Sequence, residues 1–93
     1  MQDTFSVLAE IISQVAEVDR AKILPDANAM TDLGIDSLDF LDMIFEIETR
    51  FDIQVPMDEW EREVNEGRAE AKELFMLKNL AARIDDLIAA KPA

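Results

Sequence analysis

Apolar residues recur at helical spacing from the start of the chain. Phe5, Leu8, Ile11, Ile12, Val15 and Val18 share one face, with Glu10, Gln14 and Glu17 opposite. This pattern predicts a first helix from Thr4 to about Val18. Periodicity then stops: "DRAKILPDANAMTD", Asp19 to Asp32, combines Pro25 with a cluster of Asp, Asn and Thr and marks a long loop. Loops of that length in compact domains are functional or are packed down by their own side chains. Ile23, Leu24, Met30 and Leu33 are available to pin this one.

The pattern resumes at "DSLDFLDMIFEIETRF". Asp36 suits the N-cap, and the second helix runs from Asp36 or Ser37 to about Phe51, ending before Pro56. "PMDEWEREVNEG" predicts a third, shorter helix. Pro56 precedes it, Asp58 and Glu59 stand in its first turn, and Gly67 suits the left-handed position past its end. From Arg68 to Ala90, Leu74, Leu77, Leu80, Ile84, Leu87 and Ile88 form a further helical stripe, as one helix or as two broken near Lys78. "FDIQVP" alternates briefly but ends in proline, so no strand is expected. These elements predict an all-α bundle of four to five helices with a long first loop, one domain spanning residues 1–93.

The second helix carries more apolar surface than one buried face needs. Met43, Ile44, Ile47 and Phe51 suit the core, and Asp39, Asp42, Glu46 and Glu48 suit solvent. Leu38, Leu41 and Phe45, at i, i+3 and i+7, make a second stripe. An apolar strip rimmed by carboxylates fits a docking surface for basic partners: the charges steer encounter and the apolar groups supply binding energy. The alternative is a packed helix with a solvated acidic back.

Charge sharpens this picture. Twenty-one acidic against nine basic residues give a formal charge of −12, which repels nucleic acid and anionic lipid. The imbalance is concentrated: residues 1–67 hold 17 acids and 4 bases, whereas residues 68–93 hold 4 acids and 5 bases. With hydrophobic residues at 49% and charged residues at 32%, the composition is that of a folded globular protein. No basic, apolar leader opens the chain and no apolar run approaches a bilayer's width, so a cytoplasmic protein that does not span a membrane is expected; it is also expected to be a monomer.

Chemistry is bounded by what is missing. Without Cys, His or Tyr, the chain has no thiolate or imidazole for a metal site and no Ser-His or Cys-His nucleophilic pair. Neither a metal centre nor an enzyme is expected.

Ser37 is the residue that needs an explanation. Asp36 can cap the helix alone, which leaves the Ser37 hydroxyl exposed in the first turn, and Gly34 keeps the approach to it uncrowded. A phosphate ester there would lie beside unpaired N–H groups and the positive end of the helix dipole. The plainer reading is that Ser37 and Asp36 only cap the helix.

"GIDSLDF" resembles the Asp-Ser-Leu motif of acyl carrier proteins, and the order of loop, acidic helix, short helix and final helix is similar to theirs from Thr4 to Ala90. The resemblance implies that Ser37 carries covalent 4′-phosphopantetheine, taken from coenzyme A by a phosphopantetheinyl transferase, with Asp36, Gly34 and Leu38 beside it. The cofactor's thiol would hold the acyl group as a thioester. It implies further that Leu38, Leu41 and Phe45 are apolar partner contacts, and that Asp39, Asp42 and Glu48 meet Arg and Lys of fatty acid synthase enzymes. Thr49 and Arg50 depart from that pattern, which usually has acids there.

A second departure is the long stretch "WEREVNEGRAEAKELFMLKNL". Together with "DLGIDSLDFLD" and "IDDL", it resembles the alphaproteobacterial branch of the family that carries very-long-chain and (ω−1)-hydroxylated acyl groups. A dedicated acyltransferase moves those groups onto lipid A. Each methylene left in water costs roughly 0.8 kcal/mol, so such a carrier gains from a larger interior. Trp60, Phe75, Met76 and Leu77 are the residues expected to line or gate it, with ordinary core packing as the alternative.

Other readings remain at this point. A carrier of general fatty acyl, aminoacyl or peptidyl cargo would share Ser37, and a noncatalytic acidic adaptor would need no prosthetic group. Calcium sensing fits poorly, because "DANAMTDLGIDS" lacks the D-x-[DN]-x-[DN]-G order of a binding loop and the Glu at its twelfth position.

Overall fold

The computed structural model describes residues 3–91. Five α-helices follow in order: α1 (Thr4–Val15), α2 (Ser37–Phe51), α3 (Met57–Asn65), α4 (Ala71–Leu74) and α5 (Leu77–Ala89), with a short 3-10 turn at Arg20–Lys22. Among the described residues there is no strand; one isolated bridge pairs Asn28 with Met76.

α1 begins where the Asp3 carboxylate accepts the Ser6 N–H at 2.7 Å. It ends three residues short of the expected Val18, because Glu17 takes a left-handed conformation (φ 55) that stops the helix. Val18 nevertheless packs partly against the core. α1 lies between α2 and α5. Their facing stripes, Leu8, Ile11 and Ile12 with Met43, Ile47, Leu80 and Ile84, are almost wholly removed from water, and this burial is the main source of stability. Three polar contacts tie the rims: Arg50 pairs with Glu10 at 3.3 Å, the Thr4 hydroxyl donates to Asp85, and the Lys91 ammonium donates to the Phe51 carbonyl at the end of α2 at 3.1 Å.

The long loop is tied down by specific hydrogen bonds. Asp19 caps the 3-10 turn by accepting from the Ala21 N–H at 3.0 Å. Of the four expected pins, Ile23 is fully buried and Met30 and Leu33 are half-buried, but Leu24 is exposed. The organising residue is one that hydropathy does not reveal. Asn28 is buried, and its side-chain oxygen accepts the N–H groups of Met30 and Thr31 at 2.9 and 3.0 Å. Its amide nitrogen donates to the Lys72 carbonyl at 2.9 Å.

That loop also decides the C-terminal half. The stripe from residue 68 to 90 is two helices, and the break falls at Phe75–Met76, just before the expected Lys78. The Ala29 N–H bonds the Phe75 carbonyl, while the N–H groups of Leu77 and Lys78 donate to the Ala27 and Pro25 carbonyls, each at 2.9 Å. The loop backbone thus supplies partners that a continuous helix would have found within itself. At the end of α3, Gly67 (φ 77) closes a Schellman turn, with Arg68 N–H on Glu63 O at 2.8 Å and Gly67 N–H on Val64 O at 3.1 Å.

Candidate functional site

The head of α2 is built by four consecutive residues with different tasks. Gly34 takes φ 69, and a Cβ placed on it would meet nothing within 4 Å. A glycine at this position is explained by the left-handed backbone. Ile35 is buried and its N–H holds the Ala29 carbonyl at 3.1 Å. Asp36 caps the helix through the Asp39 N–H at 2.8 Å, and its own carbonyl accepts from Phe40 at 2.8 Å. Ser37 is exposed, with its hydroxyl outside that cap. The N–H groups of Ser37 and Leu38 precede the first intrahelical bond and remain available to an anion.

From Ser37 two surfaces diverge. Along the outside of α2, Leu38, Leu41 and Phe45 are 74%, 60% and 67% exposed, unusual values for large apolar side chains in a row. Asp42 is exposed beside them, whereas Asp39, Glu46 and Glu48 are half-buried. Glu48 is engaged internally, its carboxylate accepting the Val55 N–H at 2.9 Å and fixing the turn into α3. The Thr49 hydroxyl donates to the Phe45 carbonyl at 3.0 Å, and Arg50 faces α1 through its Glu10 pair.

On the other side of Ser37 a cleft of about 570 Å³ opens between α2, α3 and α4, a size within the range of ligand sites. Exposed Ser37 and Leu41 border it, and Phe40, Trp60 and Leu74, each buried, form its floor. Phe75 completes the apolar lining and meets Phe40 edge to face, ring centroids 5.2 Å apart. Of the four expected cavity residues, the structure brings Trp60 and Phe75 here. Met76 and Leu77 lie elsewhere: Leu77 is fully buried in the core, and Met76 is the N-cap of α5, bridged to Asn28. The helix break turns them away, since residues after Phe75 follow a new axis.

Phe40 was missed by sequence reasoning although its spacing to Ile44, Ile47 and Phe51 is helical. Arg83 was missed too, and no local pattern signals it. Its guanidinium bonds Glu63 at 3.0 and 3.4 Å and lies 5.2 Å from the Trp60 ring centroid. The Arg83 fork, with a weaker effect of Arg68, holds the Glu63 carboxyl below the ordinary carboxylate value. Among the described residues, no group of three or more His, Cys, Asp or Glu is placed to hold a metal ion, and no helix is long and apolar enough to cross a membrane.

Residues 6–61 match the model of the family described as a phosphopantetheine attachment site. The chain is 50% identical over 91 residues, 98% of each protein, to "Acyl carrier protein AcpXL" of Brucella melitensis. It is 52% identical over 91 residues to the protein of that name in Rhizobium etli, covering 98% of this chain and 99% of the relative. "Acyl carrier protein" of Helicobacter pylori is 36% identical over 63 residues, 68% of this chain and 81% of its own. A family match over more than half of the chain, joined to likeness along nearly all of it, makes this chain a member of the acyl carrier proteins, which hold acyl groups through covalent 4′-phosphopantetheine and are carriers rather than catalysts.

Proposed function

We propose that Ser37 is the attachment residue and that the chain, as one carrier domain, holds a very-long-chain acyl group for delivery to a lipid A acyltransferase. The observation that carries this reading is the double position of Ser37. It is exposed at the head of α2, where a transferase can reach it, and it also borders the apolar cleft.

The residues at this point fit a phosphodiester. The hydroxyl is outside the Asp36 cap, and the N–H groups of Ser37 and Leu38 face the same helix end. When bound, the group supplies a thiol that holds the acyl chain as a thioester. The protein's part is positional. Ile35 and Phe40, buried on either side, fix Ser37 in place, and Phe40, Trp60, Leu74 and Phe75 offer an apolar lining to a chain that would otherwise lie in water at roughly 0.8 kcal/mol per methylene. Leu38, Leu41 and Phe45, with Asp39 and Asp42, form the strip on which a phosphopantetheinyl transferase and fatty acid synthase enzymes dock in the cytoplasm. Glu48 contributes less, because its carboxylate is committed to Val55.

The likeness to AcpXL-named relatives spans α4 and α5 as well as the motif, which favours a specialised cargo over a general one. The test is the intact mass of the protein isolated from its native cells, with fragments locating the added group. A modified Ser37 bearing a very long acyl chain is the expected result. Modification at another residue overturns the site, and chains of ordinary length only would make this a general fatty acyl carrier.

A further inference from the structure

We infer that Arg83 is a specificity-determining residue: by clamping α3 against α5 it sets how far the cleft opens, and so the length of unbranched apolar chain it shelters. The inference rests on the reading that the acyl chain enters the cleft.

α3 supplies one whole wall of the cleft through Met57, Trp60, Glu61 and Val64. Yet it is nine residues long and buries a single side chain, Trp60. Helices this short do not persist without tertiary contacts. Neither end is fastened by a side-chain cap; Pro56 begins it without one, and the Gly67 turn that closes it is exposed. The opposite wall is held differently, since Asn28 grips α4 through the Lys72 carbonyl and Phe40 packs on Phe75. Of the two walls, α3 therefore has fewer side-chain ties to the rest of the fold.

Arg83 engages two residues of that wall at once. Trp60 and Glu63 are three apart and so share a face. The guanidinium forks onto the Glu63 carboxylate and lies against the indole, the bidentate and stacked arrangement that lysine does not reproduce. Both charged side chains are only about a quarter exposed, at 28% and 23%, so solvent screens the pair less than an ordinary surface pair.

The position of the clamp gives it a consequence for length. Arg83 does not line the cleft; it borders a second hollow of about 450 Å³ formed with Arg68, Glu70, Glu73 and Asn79. Leu74 is shared by both spaces. Arg83 thus holds α3 from the edge of the second hollow, and a chain that fills the cleft advances further only if Arg83 yields.

The experiment uses the full chain loaded with saturated acyl groups of increasing length, in the native form and as Arg83→Gln and Arg83→Lys. Trp60 is the single tryptophan, so its emission reports the cleft directly, and amide exchange of residues 57–65 reports α3. In the native protein the emission shift is expected to grow with chain length and then level off. In Arg83→Gln the levelling point moves to longer chains, and α3 amides exchange about tenfold faster even without an acyl group; Arg83→Lys falls between. An unchanged levelling point and unchanged α3 exchange in Arg83→Gln overturn the inference while leaving the cleft reading intact. Emission that ignores acyl chains of every length in the native protein overturns the cleft reading and this inference with it. If Arg83→Gln does not fold, Glu63→Gln breaks the same fork from the other side and is expected to move the levelling point in the same direction.

Discussion

Two apolar surfaces meet at Ser37, and they differ in what covers them. On the outer face of α2, Leu38, Leu41 and Phe45 stand largely in water beside Asp42. In the cleft, Phe40, Trp60 and Leu74 are almost completely covered by the protein's own helices. Both surfaces are built from the same kinds of side chain, so residue type does not separate them. A convex strip with acids at its edge suits a large basic partner that arrives and leaves; a concave lining suits an apolar chain that stays. Leu41 belongs to both, since it is exposed and also borders the cleft.

The comparison can be broken at several points. The largest effect is expected from Ser37→Ala, which removes the hydroxyl proposed as the attachment point: incubation with coenzyme A and a phosphopantetheinyl transferase should add no mass, while the circular dichroism spectrum is unchanged. Full modification of that variant would place the site elsewhere. Leu77→Ala separates core from cleft. Because Leu77 is fully buried away from the cleft, urea unfolding should show a loss of about 2–5 kcal/mol, against a change within about 0.5 kcal/mol for exposed Leu38→Ala.

Asn28→Ala tests the loop that positions both surfaces. It leaves the Lys72 carbonyl and the Met30 and Thr31 N–H groups without their partner, and a loss of about 1–3 kcal/mol is expected in the same unfolding measurement. Smaller again are the effects on docking. Phe45→Ala and Asp42→Lys should each lower kcat/KM of the transferase by about five- to tenfold and leave Trp60 emission unaltered, whereas Leu41→Glu should disturb both readouts.

The smallest effect concerns pH. The Ser6 backbone N–H and then its side chain lower the Asp3 carboxyl, and Arg83 lowers that of Glu63. A carboxyl whose folded value lies below its unfolded one stabilises the fold fully above the unfolded value. That stabilisation is lost as pH falls through the folded value. Thermal stability should therefore decline below about pH 4, and less steeply in Asp3→Asn and Glu63→Gln; identical acid profiles for all three proteins would remove these groups from the account.

Much of the architecture was legible in the residues because its causes are local. Asp36 reads as a cap because its carboxylate reaches an N–H three residues on, and Gly67 reads as a helix stop because its left-handed turn needs only neighbouring carbonyls. The face of α2 follows from 3.6-residue periodicity, and the exposed Ser37 from Asp36 performing the capping by itself. The failures share the opposite property. Leu77 and Met76 fit the cleft by spacing alone, but the loop backbone breaks the last stripe at Phe75 through bonds that join residues 44 to 53 positions apart. Glu48 looked like a free docking acid until the turn beyond α2 brought the Val55 N–H to it.

By itself, then, the sequence determined the helical bundle, the capped head of α2 with its exposed serine, and the acidic apolar strip, because helix periodicity and capping are settled within a few residues. Only the tertiary structure decided that α4 and α5 are separate helices, that Phe40, Trp60, Leu74 and Phe75 enclose one cleft, and that Arg83 closes on α3. Those features depend on which backbone and side-chain groups meet across the fold, and no local spacing encodes such meetings.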